Sequence, residues 1–398
     1  MDGAILDYNR AIRSDPKYAY AYYDRGLAKK QKGDLDGAIA DYNRVLELDP
    51  KFAKAYCDRG VAKRRKGDVD GAITDYDRTV ELDPKYAIAY FNRGNAKDDK
   101  GDLEGAIADY NRGIELKPKY AAAYYNRAYT KQAKGDIDGA IADYTRAIEL
   151  NPKDAVVYND RGVARQRKHD FHGAITDFND AIKLNPKYAA AYANRGNARA
   201  ENDDLDGAIA DLDHAIKLDS KNAVAYYERA YAKRQKKDTT GAIADYTRAI
   251  ELDGKDADFY KERGDVWVEK KQYSAGIDDI QKAIQLNPKN GDYYGSLGWY
   301  QLFNRKPRES ITASLKALEL SPDEAVMING NLAHGYLFDN QFDKAKAIYL
   351  ENKNAKLHDG RAFSQAVLDD FKEFQEAGIT HPDMEKIKAL LTAKQDAR

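Results

Sequence analysis

The chain has 398 residues, with 65 Lys and Arg against 66 Asp and Glu and a hydrophobic fraction of 43%. Its net charge of −1 points to neither a strongly acidic nor a strongly basic partner, and its apolar content excludes wholesale disorder. No apolar run reaches the ~20 residues of a membrane span, and the single cysteine, Cys57, excludes an internal disulfide and a cysteine-based metal site.

Taken in chain order, Asp2-Gly3-Ala4-Ile5 repeats as Asp36-Gly37-Ala38-Ile39, so residues 1–18 read as the second helix of a two-helix unit without its first. Such a helix leaves an apolar edge where solenoids usually carry a polar cap. The expectation is that something covers it, a second copy of the chain through 2–18 and 19–32, unless the true start lies upstream. Residues 19–290 then form eight regular units of 34 residues. Eight of the ten prolines fall on one series of that step, from Pro16 and Pro50 to Pro288 and Pro322. Self-similarity of this kind marks a repeat architecture and overrides any domain count from length.

Each unit reads as a helix pair. Ala21, Tyr22, Arg25, Gly26 and Lys29 share one helical face. Gly33-Asp34 predicts a turn with Asp34 as the N-cap of a second helix, whose apolar stripe is Ala38, Ile39, Tyr42, Val45 and Leu46. Asp49-Pro50 ends it, since proline disfavours helix in the residue before it. Residues 291–359 are two divergent units, the second displaced by one residue at Ala325. Residues 360–398 differ in composition and read as capping helices: 361–377, with Phe363, Val367, Leu368, Phe371 and Phe374, then a last helix with Met384, Ile387, Leu390 and Leu391.

The order Tyr124, Ala128, Ala140, Tyr144, Ala147, Pro152 resembles the tetratricopeptide repeat family. The resemblance is strong over about 2–290 and weaker to 359. It implies an all-α fold, a right-handed superhelical solenoid of antiparallel helix pairs whose first helices line a concave groove. Two positions depart from the family pattern. Arginine replaces leucine at Arg25, Arg59, Arg93, Arg127, Arg161, Arg195, Arg229 and Arg263, with a basic residue four positions on in seven units. An aspartate stands in every second helix, from Asp41 and Asp75 to Asp245 and Asp279. The leading reading is a ladder of Arg–Asp pairs, which the planar guanidinium suits. The alternative is an exposed cationic stripe for nucleic acid or another polyanion.

If the family geometry holds, the groove presents Phe91, Asn92, Asn95, Tyr125, Asn126 and Tyr129, then Asn194, Asn197, Tyr227 and Tyr231, and finally Asp258 and Glu262. Carboxamides both donate to and accept from a peptide backbone, and tyrosines add apolar area with a polar tip. Asn92, Asn126 and Asn194 share one repeat position, similar to the asparagine ladder of the tetratricopeptide region of O-linked N-acetylglucosamine transferases. Asp24, Asp58, Asp160, Glu228 and Glu262 hold that position elsewhere, so the match is partial. Lys54, Arg64 and Arg65 in one unit against Asp258, Glu262, Asp265 and Glu269 in another would orient a peptide carrying opposite charges at its ends.

No phosphate-binding glycine loop, nucleophile elbow or zinc-protease motif occurs. His169 and His172 have no third ligand at recognisable spacing and read as solvated turn histidines. No catalytic residue, cofactor or metal is expected. The reading is a non-enzymatic protein–protein interaction scaffold of bacterial style that holds an extended peptide or partner protein, or forms a homo-oligomer. A polyanion binder and the adaptor region of a longer enzyme are the alternatives. The cytoplasm is the expected compartment, with an upstream signal peptide left open.

Overall fold

Seven of the eight regular second helices start on an aspartate, the exception being Tyr273–Leu286, which follows Gln272. In the computed structural model, which describes residues 2–393, the Asp34 carboxylate accepts the Gly37 N–H at 2.9 Å. Asp68, Asp102, Asp136, Asp170, Asp204 and Asp238 do the same for the glycine three residues on. A cap of this kind satisfies one of the N–H groups that a helix start leaves unpaired. The glycine has a steric reason: a Cβ on Gly37 would stand 2.1 Å from Asp34 Oδ2.

The turn before each cap needs a left-handed residue. Gly33, Gly67, Gly101 and Gly135 supply it with φ between 79° and 90°, whereas His169, Asp203, Lys237, Lys271, Arg305 and Asn340 hold the same place at φ 59–64°. The turn therefore persists in repeats that have lost the glycine, because the flanking helices fix it from both sides.

Among the described residues there are 23 α-helices and no strand, with one isolated bridge between Lys356 and Ala362. They fall into two compact bodies, Met1–Asn202 and Asp203–Arg398. In the first, helix Asp2–Ser14 precedes the hairpins Ala19–Lys32/Leu35–Leu48, Ala53–Arg65/Val69–Leu82, Ala87–Asp99/Leu103–Leu116, Ala121–Lys134/Ile137–Leu150 and Ala155–Arg167/Phe171–Leu184, and helix Ala189–Ala200 closes the body. In the second, helix Leu205–Leu218 precedes Ala223–Gln235/Thr239–Leu252, Ala257–Glu269/Tyr273–Leu286, Gly291–Phe303/Pro307–Leu320 and Ala325–Phe338/Phe342–Asn352. Helices Phe363–Glu376 and Met384–Thr392 follow. The 3₁₀ turn Pro322–Glu324 accounts for the one-residue displacement at Ala325.

In most hairpins the core is one ring laid against small residues, with Leu212, Ile280 and Ser314 in its place in three second helices. Tyr42, Tyr76, Tyr110, Tyr144 and Phe178 are buried, as are Ala38, Ala72, Ala106, Ala140 and Ala174. A Cβ on Gly26 would meet the Tyr42 ring at 2.7 Å, so the first helix rides directly on the tyrosine. The second body has a larger core around Phe303, Leu337, Tyr349, Phe363, Phe371, Phe374, Ile387 and Leu391. It joins the last two hairpins to the two final helices.

Candidate functional site

The basic residues of the first helices point sideways into the hairpin. Arg25, Arg59, Arg93, Arg127, Arg161, Arg229 and Arg263 each give Nε and Nη2 to the two oxygens of Asp41, Asp75, Asp109, Asp143, Asp177, Asp245 and Asp279. Six of these aspartates, all but Asp279, also receive Lys29, Lys63, Lys97, Lys131, Arg165 and Lys233 at 2.7–2.9 Å. A tyrosine one turn earlier covers the guanidinium face, as Tyr22 covers Arg25 at 5.3 Å. These cations are internal fasteners, and that placement speaks against a polyanion-binding stripe. The first arginine also ties hairpins together: Nη1 of Arg59 reaches Asn43, and Nη1 of Arg127 reaches Asn111.

In the first body, consecutive first helices approach one another more closely than consecutive second helices do. Phe91, Asn92, Asn95, Tyr125, Asn126, Asn194 and Asn197 are half-buried, and Tyr129 is 55% exposed. Phe91 stacks against Tyr110 and, at 4.9 Å, Tyr120. Asn126 donates Nδ2 to Asn95 Oδ1 at 2.7 Å, an oxygen that also accepts the Tyr110 hydroxyl at 2.8 Å. Asn92 donates toward Cys57 Sγ at 3.6 Å, Asn194 donates to Asn159 at 2.9 Å, Gln166 donates to Asn197, and Tyr125 donates to Asp160 at 2.8 Å. The carboxamides thus form lateral bonds between neighbouring repeats.

In the second body, Tyr227 stacks on Phe259 at 5.1 Å and Tyr231 is half-buried. Asp258 accepts the Tyr293 hydroxyl at 2.6 Å, and Glu262 pairs with Arg234 at 2.7 Å. Glu269 also pairs with Arg234, Asp265 pairs with Lys261, and in the first body Arg64 forks onto Asp99. The groove charges read from the sequence are therefore largely neutralised by neighbours, which weakens the proposed charge gradient. Many of these contacts join residues 35 apart: Tyr23–Asp58, Tyr125–Asp160, Asn159–Asn194 and Asp258–Tyr293. One repeat plus one residue is a spacing that the sequence does contain.

At the end of the second body the groove face is already filled. Trp299 and Phe303, from helix Gly291–Phe303, stack on Phe374 at 5.2 and 5.0 Å. Phe338, from helix Ala325–Phe338, meets Phe374 at 5.0 Å. His334, wholly buried, places Nε2 3.0 Å from Asp370 Oδ2 and Nδ1 2.7 Å from the Tyr349 hydroxyl. Trp299 and His334 occupy the repeat position of Asn95, Tyr129, Asn197 and Tyr231. The chain's own amphipathic helix Phe363–Glu376 thus lies across the face that earlier repeats leave uncovered.

Profiles described as TPR repeat match residues 1–33, 26–67, 62–97 and 99–135, and profiles described as tetratricopeptide repeat match 121–154, 159–223 and 224–291. The chain is a tetratricopeptide-repeat protein. Among solved structures, a tetratricopeptide repeat protein from Parabacteroides merdae aligns over 63% of this chain and 98% of its own, at 18% identity and a TM-score of 0.52. The APC/C hetero-tetramer Cut9–Hcn1 aligns over 73% and 57%, at 18% identity and a TM-score of 0.50. MamA is 32% identical over 41% of this chain and 96% of its own, with a TM-score of 0.39. A search of curated proteins finds no match. The first two share the fold.

As a tetratricopeptide-repeat protein the chain is an all-α solenoid of helix pairs and, in general kind, a protein-interaction scaffold of a fold that is generally non-catalytic. No helix among the described residues is long and apolar enough to cross a membrane. His169 and His172 are exposed in and after their turn. Burial pushes the Cys57 thiol up to about 12, with Asp58 adding to the shift, which leaves it protonated and unreactive at neutral pH. His334 escaped the sequence reading because nothing in a lone histidine announces a partner 36 residues away.

Proposed function

We propose that the inner face of the first helices holds a linear segment of a partner protein, with Phe91, Asn92, Asn95, Tyr125, Asn126, Tyr129, Asn194 and Asn197 contacting it in the first body. Tyr227, Tyr231, Asp258 and Glu262 extend the same kind of surface in the second. The supporting observation is the helix Phe363–Glu376. Its contacts on Trp299 and His334 occupy, in cis, the repeat position that Asn95, Tyr129, Asn197 and Tyr231 offer without such a cover. An asparagine that gives one N–H to its neighbour still carries a second N–H and an acceptor oxygen for a backbone. The test is affinity capture from cell extract with the full chain and with Asn92→Ala, Asn126→Ala, Asn194→Ala combined. Partners held by the intact chain and lost by the triple variant support the site. Identical recovery by both removes it.

A second reading is self-association through 2–18 and 19–32. No residue of helix Asp2–Ser14 is buried, Leu6 is 58% exposed, and Tyr20 is 60% exposed. Sedimentation over a range of concentration tests it: a dimer abolished by Leu6→Glu with Tyr20→Glu supports the reading, and a monomer at every concentration removes it.

A further inference from the structure

The repeat position that carries a ring in several units carries glycine in the last two hairpins. Tyr23, Phe91, Tyr125 and Tyr227 stand there earlier in the chain, and each stacks on a buried tyrosine of its own second helix at 5.6–6.1 Å. Gly295 and Gly330 take their place, and the matching second-helix residue in the first of these hairpins is Ser314, not tyrosine. A Cβ built on Gly295 would meet nothing within 4 Å, and one on Gly330 would only touch Phe363 at 3.6 Å.

A cleft of about 810 Å³ opens at these two glycines within the second body. Its floor is Gly295, Trp299 and Gly330, its far wall is Phe363 and Val367 of the cis helix, and Met327, 48% exposed, stands at its rim. The walls are mainly hydrocarbon, so a large apolar group would be drawn in from water. The cleft's charge is uneven. Six lining carboxylates (Asp265, Asp292, Asp323, Glu324, Asp359 and Asp370) face three lining cations, Lys261, Lys356 and Arg361. Four of the carboxylates are already engaged, Asp265 by Lys261 at 3.0 Å, Asp359 by Arg361 at 2.6 Å, Asp370 by His334 at 3.0 Å and Glu324 by the lining His358 at 3.3 Å, which leaves Asp292 and Asp323 for a further cation.

We infer that this cleft is an anchor site for one aromatic side chain of a partner peptide, flanked in that peptide by arginine or lysine. The ring occupies the space that Gly295 and Gly330 leave open, and the flanking cation meets Asp292 and Asp323. The site is separate from the asparagine-bearing face of the first body, so either can fail without the other.

The chain has two tryptophans, Trp267 and Trp299, so Trp267→Phe leaves emission from Trp299 alone as the reporter. The probe is the pentapeptide acetyl-Gly-Arg-Phe-Arg-Gly-amide, with Phe→Ala and Arg→Glu versions as controls. A saturable change in Trp299 emission is expected for the probe, with affinity at least tenfold weaker for either control. Gly295→Tyr, which adds the ring that Tyr23, Phe91, Tyr125 and Tyr227 supply in four other units, should abolish the change. The triple asparagine variant should keep it. Should Gly295→Tyr lose its helical circular dichroism, Gly295→Ala enters open space and should weaken binding several-fold with the fold intact. No saturable change, equal binding of all three peptides, or full binding by the folded glycine variants overturns the assignment.

Discussion

Arg127 donates Nε and Nη2 to the two oxygens of Asp143 at 2.8 and 2.5 Å, with the carboxylate almost fully buried and the arginine side chain 16% exposed. Lys131 adds a second cation at 2.8 Å. Removing one member of such a group leaves the others desolvated without compensation, whereas replacing the group by hydrocarbon need not. Asp143→Ala is expected to lower stability by about 3 kcal/mol. Adding Arg127→Leu and Lys131→Leu to Asp143→Ala, so that no member of the group is left charged, should recover most of that loss. Urea denaturation of Asp143→Ala, of Arg127→Leu with Lys131→Leu, and of the triple variant checks it; additive losses would mean the group is not coupled.

Lys237 holds the left-handed turn position at φ 64° that glycine fills in the first four hairpins. An L side chain is disfavoured there, and glycine relieves the clash while costing more entropy on folding. Lys237→Gly is expected to stabilise the chain by about 0.5–1 kcal/mol net. A rise in Tm by calorimetry checks it.

Gly60 lies under the Tyr76 ring, with a Cβ there 2.7 Å from it. Ala128 and Ala230 fill the equivalent place over Tyr144 and Tyr246, and all four are buried. A ring can therefore shift enough for one methyl group but not for a branched chain. Gly60→Ala should change stability by less than about 1 kcal/mol, and Gly60→Val should cost about 1–3 kcal/mol from overpacking. Chemical denaturation of the two variants separates them.

Glu373 is exposed, but partial desolvation of its carboxyl raises it above its ordinary 4.5, with Asp370 and Glu376 adding to the shift. A carboxyl raised in the folded state favours folding below its unfolded value and loses that contribution as pH rises through the folded value. At pH 7 the ionised side chain therefore opposes folding. Glu373→Gln should raise Tm at pH 7, and its advantage should vanish below pH 4.5, where Glu373 is protonated in both states. Paired melting curves at the two pH values check it.

Much of this molecule was legible in the repeat itself. Asp34 as a cap, Ala38 and Tyr42 as core, and Arg127 opposite Asp143 all follow from a period that brings like residues to like places. Asn95 was legible only in part. Its repeat position led to the expectation of a groove residue, but its bonds to Tyr110 and Asn126 come from different neighbours and have no local signal. The groove charges misled for the same reason. Glu262 and Arg234 are far apart in the chain, and their pairing exists only because two first helices lie side by side.

The sequence by itself determined the helical hairpin, its length, its caps and its buried face, because those depend on contacts within one unit and recur in every copy. Tertiary structure alone decided that helix Phe363–Glu376 lies across Trp299 and His334, and that the glycines at 295 and 330 open onto a cleft. Those contacts join unlike segments, and no periodic pattern encodes a meeting that happens once.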